Sequence, residues 1–154
     1  DNPGGFLEAS VNIAGWFLDR GQTVVSEEFR SGEKQTFQAY GSGLFKNTPI
    51  VILVAGGSAS ASEILAGALR DNRGIKLIGG KTFGKGTVQE MVELKDKSVI
   101  KITIAHWVMP KGQIIEKNGL TPDYEVKLTE EDVKNKKDPQ LDKAMEILKQ
   151  EISH

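Results

Sequence analysis

The chain of 154 residues contains no cysteine, which excludes disulfide bonds and zinc sites built on thiolates. Histidine is nearly as scarce, with only His106 and His154, so nucleophilic chemistry in this chain would take lysine as its base. No apolar run reaches the roughly 18 residues that a membrane-spanning helix needs. The formal net charge of -1 gives no support for binding nucleic acid. We expect no metal and no other cofactor.

What remains is the composition of a soluble globular domain. Apolar residues make up 38% and charged residues 27%, and 154 residues suffice for one domain with a hydrophobic core. A continuous apolar run at Pro49–Val54 predicts a strand buried on both faces of a sheet. A helical pattern and a second short apolar strand follow it. This is the order of a βαβ unit, and it predicts an α/β fold.

Periodicity and turn residues predict the remaining elements. Apolar residues recur at helical spacing in some segments and alternate in others, with glycine, proline and aspartate at the breaks. The predicted helices are Phe6–Leu18, Ser60–Asp71 and Gln140–Ile152; the predicted strands are Thr23–Phe29 paired with Gln35–Tyr40, Ile75–Ile78, Thr87–Leu94 paired with Val99–Val108, and Tyr124–Leu128. The segment from Thr129 to Asp138 is expected to be solvated, and His106 to be a packed or half-exposed strand residue.

The segment Val54–Gln89 holds the residue types of a serine–lysine hydrolase. Three serines, Ser58, Ser60 and Ser62, lie at the entrance of the second predicted helix, and spacing alone does not choose among them. A serine in the first helical turn lies beside unpaired backbone N–H groups, which stabilise negative charge developing on a substrate. The alternative is that all three serines are helix caps and small packing residues.

Lys85 stands between two glycines in a second turn and is the candidate general base. A free lysine has a pKa of about 10.4, so a base role requires loss of solvent or nearby positive dipoles. The composition of the turn allows a partly buried position; the alternative is an exposed turn lysine. Gly79–Lys85 also approaches the phosphate-binding loop pattern. Gly86 replaces the Ser or Thr of that pattern and a strand pattern follows, so no nucleotide is expected.

Two motifs at a fixed distance carry a resemblance to a known family. SASASEI contains Ser60, and TFGKGTVQ contains Lys85 twenty-five positions later. Together with the opening DNPGGFLEASVNIAGWFL and the late MPKGQIIEKNGLTPDYEV, they resemble the carboxyl-terminal processing proteases, also called tail-specific proteases. The resemblance spans nearly all 154 residues. It implies that Ser60 is the nucleophile, that Lys85 is the base, and that Gln89 orients the lysine amine by a hydrogen bond.

Supporting groups surround this candidate pair. The oxyanion needs two backbone donors; the Ala61 amide follows the nucleophile, and the resemblance implies the Gly4–Gly5 turn as the other source, with Gly5 preferred. Thr82 is expected to support the lysine amine through its hydroxyl. Glu63 is expected to cap the helix or hold a neighbouring loop. If the segment is a strand, residues 85 and 89 share one face, which brings the glutamine amide near the lysine.

The resemblance implies a crotonase-like α/β fold, a twisted sheet with flanking helices and a β-hairpin, incomplete at its N-terminal side. In that family a hydrophobic strand precedes the opening turn, and a PDZ module lies further upstream. Residues 1–154 would then be the C-terminal part of the protease core. An absent strand predicts an open sheet edge, which pairs with the N-terminal remainder of the protein or exchanges strands with a second copy.

The implied activity is that of a serine endopeptidase that cleaves extended or unfolded polypeptides near their C-termini through an acyl-enzyme. The implied location is the bacterial envelope or periplasm, the exterior, or a thylakoid lumen, and the absence of cysteine fits such compartments. Two alternatives remain: a catalytically idle fragment, and a module on the same scaffold that binds an apolar ligand or a peptide. Retention of Ser60, Lys85 and Gln89 favours the enzyme.

Overall fold

The computed structural model describes residues 1–115 and 119–152. Residues 116–118 and His154 lie outside the described residues. Residues 116–118 belong to the late segment MPKGQIIEKNGLTPDYEV, which carried part of the resemblance. The elements in chain order are α1 (Leu7–Phe17), β1 (Thr23–Phe29), β2 (Lys34–Gln38), β3 (Ile52–Val54), α2 (Ala61–Arg73), β4 (Leu77–Gly79), β5 (Thr87–Glu93), β6 (Val99–Val108), β7 (Tyr124–Glu125), α3 (Glu130–Lys134) and α4 (Pro139–Ile152).

The strands form two sheets. Four antiparallel strands follow the order β2-β1-β6-β5, and three parallel strands follow the order β3-β4-β7. Helix α2 connects β3 to its parallel neighbour β4, so the predicted βαβ unit and the mixed α/β fold are confirmed. Both predicted antiparallel pairs are present as well. His106 lies half-buried on β6 opposite Thr87, as predicted.

The main core lies between helices α1 and α2 and the four-stranded sheet. Val11, Val24 and Ile64 contribute to it from α1, β1 and α2, each less than 5% exposed. A fully buried aliphatic side chain of this kind contributes about 1.5–3 kcal/mol relative to an exposed one. A Cβ atom on Gly67 would lie 2.4 Å from the Cε atom at the flexible end of the Met109 side chain, so α2 packs closely on the residue that follows β6.

Strand β3 is shorter and more exposed than the sequence predicts. It covers only Ile52–Val54 and lies at the edge of the parallel sheet, and Leu53 is 45% exposed. The prediction of burial on both faces is therefore wrong for the described chain. An apolar groove of about 450 Å³ runs beside this edge between α1 and α2. Its apolar lining is Ile13, Phe17, Ile50, Val51, Ile52, Leu53, Val54, Leu65, Ala66 and Leu69.

The C-terminal part departs from the prediction at two places. Strand β7 covers only Tyr124–Glu125. The segment from Thr129 to Asp138 is exposed almost throughout, as predicted, but it contains the short helix α3, which was not predicted. The Thr129 hydroxyl accepts a hydrogen bond from the Asp132 amide, and the Asp132 carboxylate accepts one from the Thr129 amide, which is a capping box. Aspartate takes the place of the usual glutamate, which is why the signal was missed. No helix in residues 1–115 and 119–152 is long and apolar enough to cross a membrane.

Candidate active site

Ser60 occupies the turn that leads into α2. Its backbone has φ 58° and ψ -123°, and the Ser62 amide donates to the Ala59 carbonyl across the turn at 3.3 Å. These angles are those of the first central position of a type II′ turn, which glycine normally fills. A non-glycine residue there costs about 1–3 kcal/mol and persists only when its surroundings hold it in place. The strain distinguishes Ser60 from every neighbouring serine.

The other two serines have local structural roles. The Ser58 hydroxyl accepts a hydrogen bond from the Ala55 amide at 3.1 Å. The Ser62 hydroxyl donates to the carbonyls of Asn2 at 2.8 Å and Ala59 at 2.9 Å. Both hydroxyls therefore stabilise the turns around the start of α2. The structure thus supplies a reason, independent of any motif, to prefer Ser60 as the candidate nucleophile.

A buried carboxylate connects the two candidate turns. Glu63 is 0% exposed, and its Oε2 atom accepts hydrogen bonds from the amides of Ser60 and Lys85, each at 2.9 Å. Its Oε1 atom accepts from the Gly84 amide at 2.8 Å and from the Thr82 hydroxyl at 2.5 Å. Glu63 therefore caps α2 and also holds the neighbouring loop, which were the two expected roles.

The shared oxygen brings the candidate nucleophile and base together through their backbones. Because the Ser60 and Lys85 amide nitrogens are both bonded to one Oε2 atom, they lie no further apart than twice the 2.9 Å hydrogen-bond length. A third link joins the turns directly, since the Phe83 amide donates to the Ser58 carbonyl at 2.9 Å. The 24 residues between Ser60 and Lys85 are thus folded so that the two motifs meet at the start of α2.

The side chains of Lys85 and Gln89 are exposed. The expected partly buried position of Lys85 is therefore not found in the described chain, and the neighbouring Phe83 is 64% exposed. Lys85 and Gln89 do not share a strand face as predicted, because β5 begins only at Thr87. Gln89 itself pairs with Thr103 beside a shift in register. A reach from Gln89 to the lysine amine stays a prediction.

The opening glycine turn packs directly on the turn of the candidate nucleophile. A Cβ atom on Gly4, which has φ 100°, would lie 2.5 Å from the Ala59 carbonyl oxygen and 2.9 Å from the Ser60 Cβ atom. The Gly4 amide donates to the Asn2 side chain at 3.0 Å, and the role of the Gly5 amide as an oxyanion donor stays a prediction. Gly5 and Ala61 line the same cleft of about 120 Å³.

Thr82 contacts a different group from the one expected. Its hydroxyl donates to Glu63 rather than to the lysine amine, and it accepts a hydrogen bond from the Leu120 amide at 2.6 Å. Sequence reasoning missed Asn2 and Leu120 as parts of this site. Asn2 lies in the opening glycine turn, and its carbonyl accepts a hydrogen bond from the Ala59 amide at 3.0 Å. No local pattern marks Leu120, because its partner lies 38 residues away.

Comparison with known proteins identifies the family of this chain. The sequence profile of peptidase family S41 matches residues 1–126. This chain belongs to peptidase family S41. Membership confirms the resemblance to the carboxyl-terminal processing proteases, and it places the chain in a family of serine-type peptidases.

Named relatives of this S41 chain agree with the assignment. The carboxy-terminal processing protease CtpA of Bacillus subtilis is 39% identical over 127 residues, which are 82% of this chain and 27% of that protein. The carboxyl-terminal-processing protease of Synechocystis is 40% identical over 151 residues, which are 96% of this chain and 35% of that protein. The S41 chain thus spans about a quarter to a third of the length of these curated relatives.

Solved structures show the same relationship. A photosystem II D1 C-terminal processing protease superposes with a TM-score of 0.76 at 40% identity, over 82% of this chain and 32% of that chain. A putative peptidase from Parabacteroides merdae superposes with a TM-score of 0.78 at 21% identity, over 96% of this chain and 49% of that chain. The second likeness concerns the fold alone.

Proposed function

We propose that this chain carries the catalytic centre of a serine endopeptidase in which Ser60 is the nucleophile and Lys85 the general base. The observation that carries the proposal is the shared Glu63 oxygen, which holds the amides of both residues at 2.9 Å. A strained serine at a helix entrance and a lysine turn bonded to the same buried carboxylate are the parts that a serine–lysine hydrolase needs. Membership of family S41 supports the reaction class.

The proposed reaction proceeds in two steps. The Ser60 Oγ atom forms a bond to the scissile carbonyl carbon, its proton passes to the neutral Lys85 amine, and the carbonyl electron pair moves to oxygen. The amides of Ala61 and Gly5 hold that oxyanion. Collapse breaks the C–N bond, and the leaving nitrogen takes the proton back from Lys85. Water then adds to the acyl carbon and gives one proton to Lys85. The bond from that carbon to the Ser60 Oγ atom breaks, the Oγ atom takes the proton back from Lys85, and the carboxylic acid leaves.

Lys85 can act as the base only if its surroundings favour the neutral amine. Lysine accepts a proton only as the neutral amine, and loss of solvent favours that form. Lys85 and Phe83 are exposed, so we propose that bound substrate or another part of the protein covers them during the reaction. The Gln89 amide is proposed to orient the amine. An idle state, in which the lysine stays in solvent, is the alternative that exposure favours.

Cleavage of casein tests the proposed dyad. The whole protein and its Ser60→Ala and Lys85→Ala variants are incubated with casein, and the products are separated by gel and mass spectrometry. We expect cleavage by the wild type and loss of cleavage in both variants. Equal cleavage by the variants would remove the dyad. Absence of cleavage by the wild type, with tight binding of casein, would favour the idle or binding alternative.

The relatives' names suggest the substrate class and the location. Proteins similar to this chain are named C-terminal processing proteases, and they come from bacteria and from a chloroplast. We therefore propose extended polypeptide C-termini as substrates, and export to the bacterial envelope or a thylakoid lumen. Cell fractionation checks the location. A comparison of casein peptides with amidated and free C-termini checks whether the terminal carboxylate is recognised.

We further propose that residues 1–154 are the C-terminal part of a crotonase-like core, in which the apolar groove receives a β-strand from the remainder of the protein. The free edge of β3 and the exposed Leu53 support this placement. A second copy exchanging strands, or an apolar ligand, are the other occupants. Thermal unfolding and sedimentation with and without the upstream segment decide: equal stability and equal oligomeric state would contradict the proposal.

A further inference from the structure

Thr82 lies buried between two segments that meet behind the candidate dyad. It is 5% exposed, and its hydroxyl lies 2.5 Å from the Glu63 Oε1 atom and 2.6 Å from the Leu120 amide nitrogen. An amide can only donate, so the Thr82 oxygen accepts from Leu120, and its single hydrogen is directed to Glu63. The sense of both hydrogen bonds is thereby fixed.

The partner segment is held firmly against Thr82. The Thr82 amide donates to the Leu120 carbonyl at 3.1 Å, so the two residues are joined by two hydrogen bonds. A Cβ atom on Gly119, which has φ 54°, would lie 2.2 Å from the Thr82 carbonyl oxygen. Leu120 is 0% exposed and packs with Val54 and Leu77 in a small core of its own. The Leu120 amide is therefore a fixed donor.

We propose that Thr82 is a positioning residue for the Ser60–Lys85 pair. Its hydroxyl fixes the rotation of the Glu63 carboxylate, so that the opposite oxygen meets the amides of both dyad residues. A chain of hydrogen bonds thus runs from the Leu120 amide through Thr82 and Glu63 to the two catalytic turns. The inference rests on the proposed function, since it concerns how that dyad is held.

Two substitutions at this position separate the hydroxyl from the shape of the side chain. Thr82→Val keeps the volume and branching but loses the donor to Glu63, and it leaves the Leu120 amide without an acceptor. Thr82→Ser keeps the hydroxyl and loses only a methyl group. A residue needed merely for packing would tolerate valine better than serine, whereas a positioning residue tolerates serine better than valine.

The test measures steady-state cleavage of an unstructured quenched-fluorescence peptide by the whole protein. Wild type, Thr82→Val, Thr82→Ser and Ser60→Ala are compared at a temperature where circular dichroism shows each to be folded. We expect kcat of Thr82→Val to fall about 10- to 100-fold with KM little changed, because small misplacements of catalytic groups cost this much. Thr82→Ser is expected to stay within about threefold of wild type, as its retained hydroxyl keeps the positioning contact.

The outcomes distinguish this inference from the proposed function. If Ser60→Ala cleaves as fast as wild type, the dyad itself is wrong, and the inference falls with it. If Ser60→Ala is inactive while Thr82→Val matches wild type, or serine is as impaired as valine, only the positioning role of Thr82 is overturned. Should Thr82→Val not fold, Thr82→Ala takes its place. If neither variant folds, Thr82 serves folding and the positioning role is rejected.

Discussion

Replacing Glu63 with glutamine is the sharpest perturbation of this structure. Each carboxylate oxygen of Glu63 receives two donors: the amides of Ser60 and Lys85 on one oxygen, and the Thr82 hydroxyl with the Gly84 amide on the other. Glutamine has nearly the same shape, but one of its two positions is an NH₂ group, which can only donate. Whichever way the amide is turned, it faces two donors.

The expected loss in the free energy of unfolding can be estimated from the hydrogen bonds that Glu63→Gln removes. Hydrogen bonds to a charged group contribute about 1.5–3 kcal/mol each, so losing two costs roughly 3–6 kcal/mol. Neutralising a buried carboxylate relieves part of its desolvation cost, which points to the lower end, about 3 kcal/mol. This is a large share of the roughly 5–15 kcal/mol that stabilises an ordinary domain. The turns of Ser60 and Lys85 are expected to separate, lowering kcat/KM about 100-fold.

Urea unfolding and peptide cleavage together test this reasoning. Glu8→Gln is the matched control, because Glu8 is an exposed carboxylate in the first turn of α1, as Glu63 is a buried one in the first turn of α2. We expect the control to change the free energy of unfolding by no more than about 0.5 kcal/mol. A Glu63→Gln variant that loses less than about 1 kcal/mol and keeps its activity would refute the role given to this carboxylate.

Three further perturbations follow from the backbone and from one surface cap. Ser60→Gly and Ser60→Ala are both expected to abolish cleavage. Only Ser60→Gly is expected to raise the free energy of unfolding, by about 1 kcal/mol, because only glycine relieves the strain of the positive φ of 58°. Urea titrations of the pair check this, and equal stabilities would contradict it. Gly4→Ala is expected to lower both stability and kcat/KM more than Gly32→Ala does; both glycines have positive φ, but only Gly4 faces a backbone oxygen at 2.5 Å. Melting temperatures that fall equally would argue against close packing at Gly4. Hydrogen bonds from Thr129 hold the pKa of Asp132 below its usual value, so the cap is complete at neutral pH and is lost as pH falls through that lowered pKa. In a carboxyl NMR titration, Thr129→Ala is expected to move the Asp132 pKa upward, and an unchanged titration would count against the cap.

The sequence patterns predicted most of the helices and strands correctly. The β1–β2 hairpin and the β5–β6 pair follow from alternating apolar residues and turn residues, because their partners lie close in sequence. Helix α1 follows from its apolar periodicity, although the core against which it packs is formed by residues distant in sequence. The short helix α3 was missed, since its capping box uses aspartate where glutamate is usual. Strand β3 was predicted as doubly buried because its composition is apolar, but burial of its faces depends on what the fold packs against them, which composition does not reveal.

In the candidate site, too, contacts between residues close in sequence could be predicted, whereas contacts between distant residues could not. Glu63 was expected to cap α2 or hold a loop, because a glutamate three residues after a serine is a local signal. That it binds the turns of both Ser60 and Lys85 depends on contacts between residues 21 and 22 positions apart, which no periodicity reveals. The close packing of Gly4 on Ser60 and the hydrogen bond from Leu120 to Thr82 are likewise products of the fold. The exposure of Lys85 was not predicted either, because the sequence of the turn allows a buried or an exposed lysine.

The most direct test of the account locates the acyl group. The whole protein is mixed with a p-nitrophenyl ester of a short peptide, quenched in acid within the first turnover, digested, and mapped by mass spectrometry. We expect a single acyl group on Ser60, absent from Ser60→Ala and formed far more slowly in Lys85→Ala. An acyl group on another residue, or equal ester turnover by Ser60→Ala, would contradict the claim that Ser60 and Lys85 form the catalytic pair.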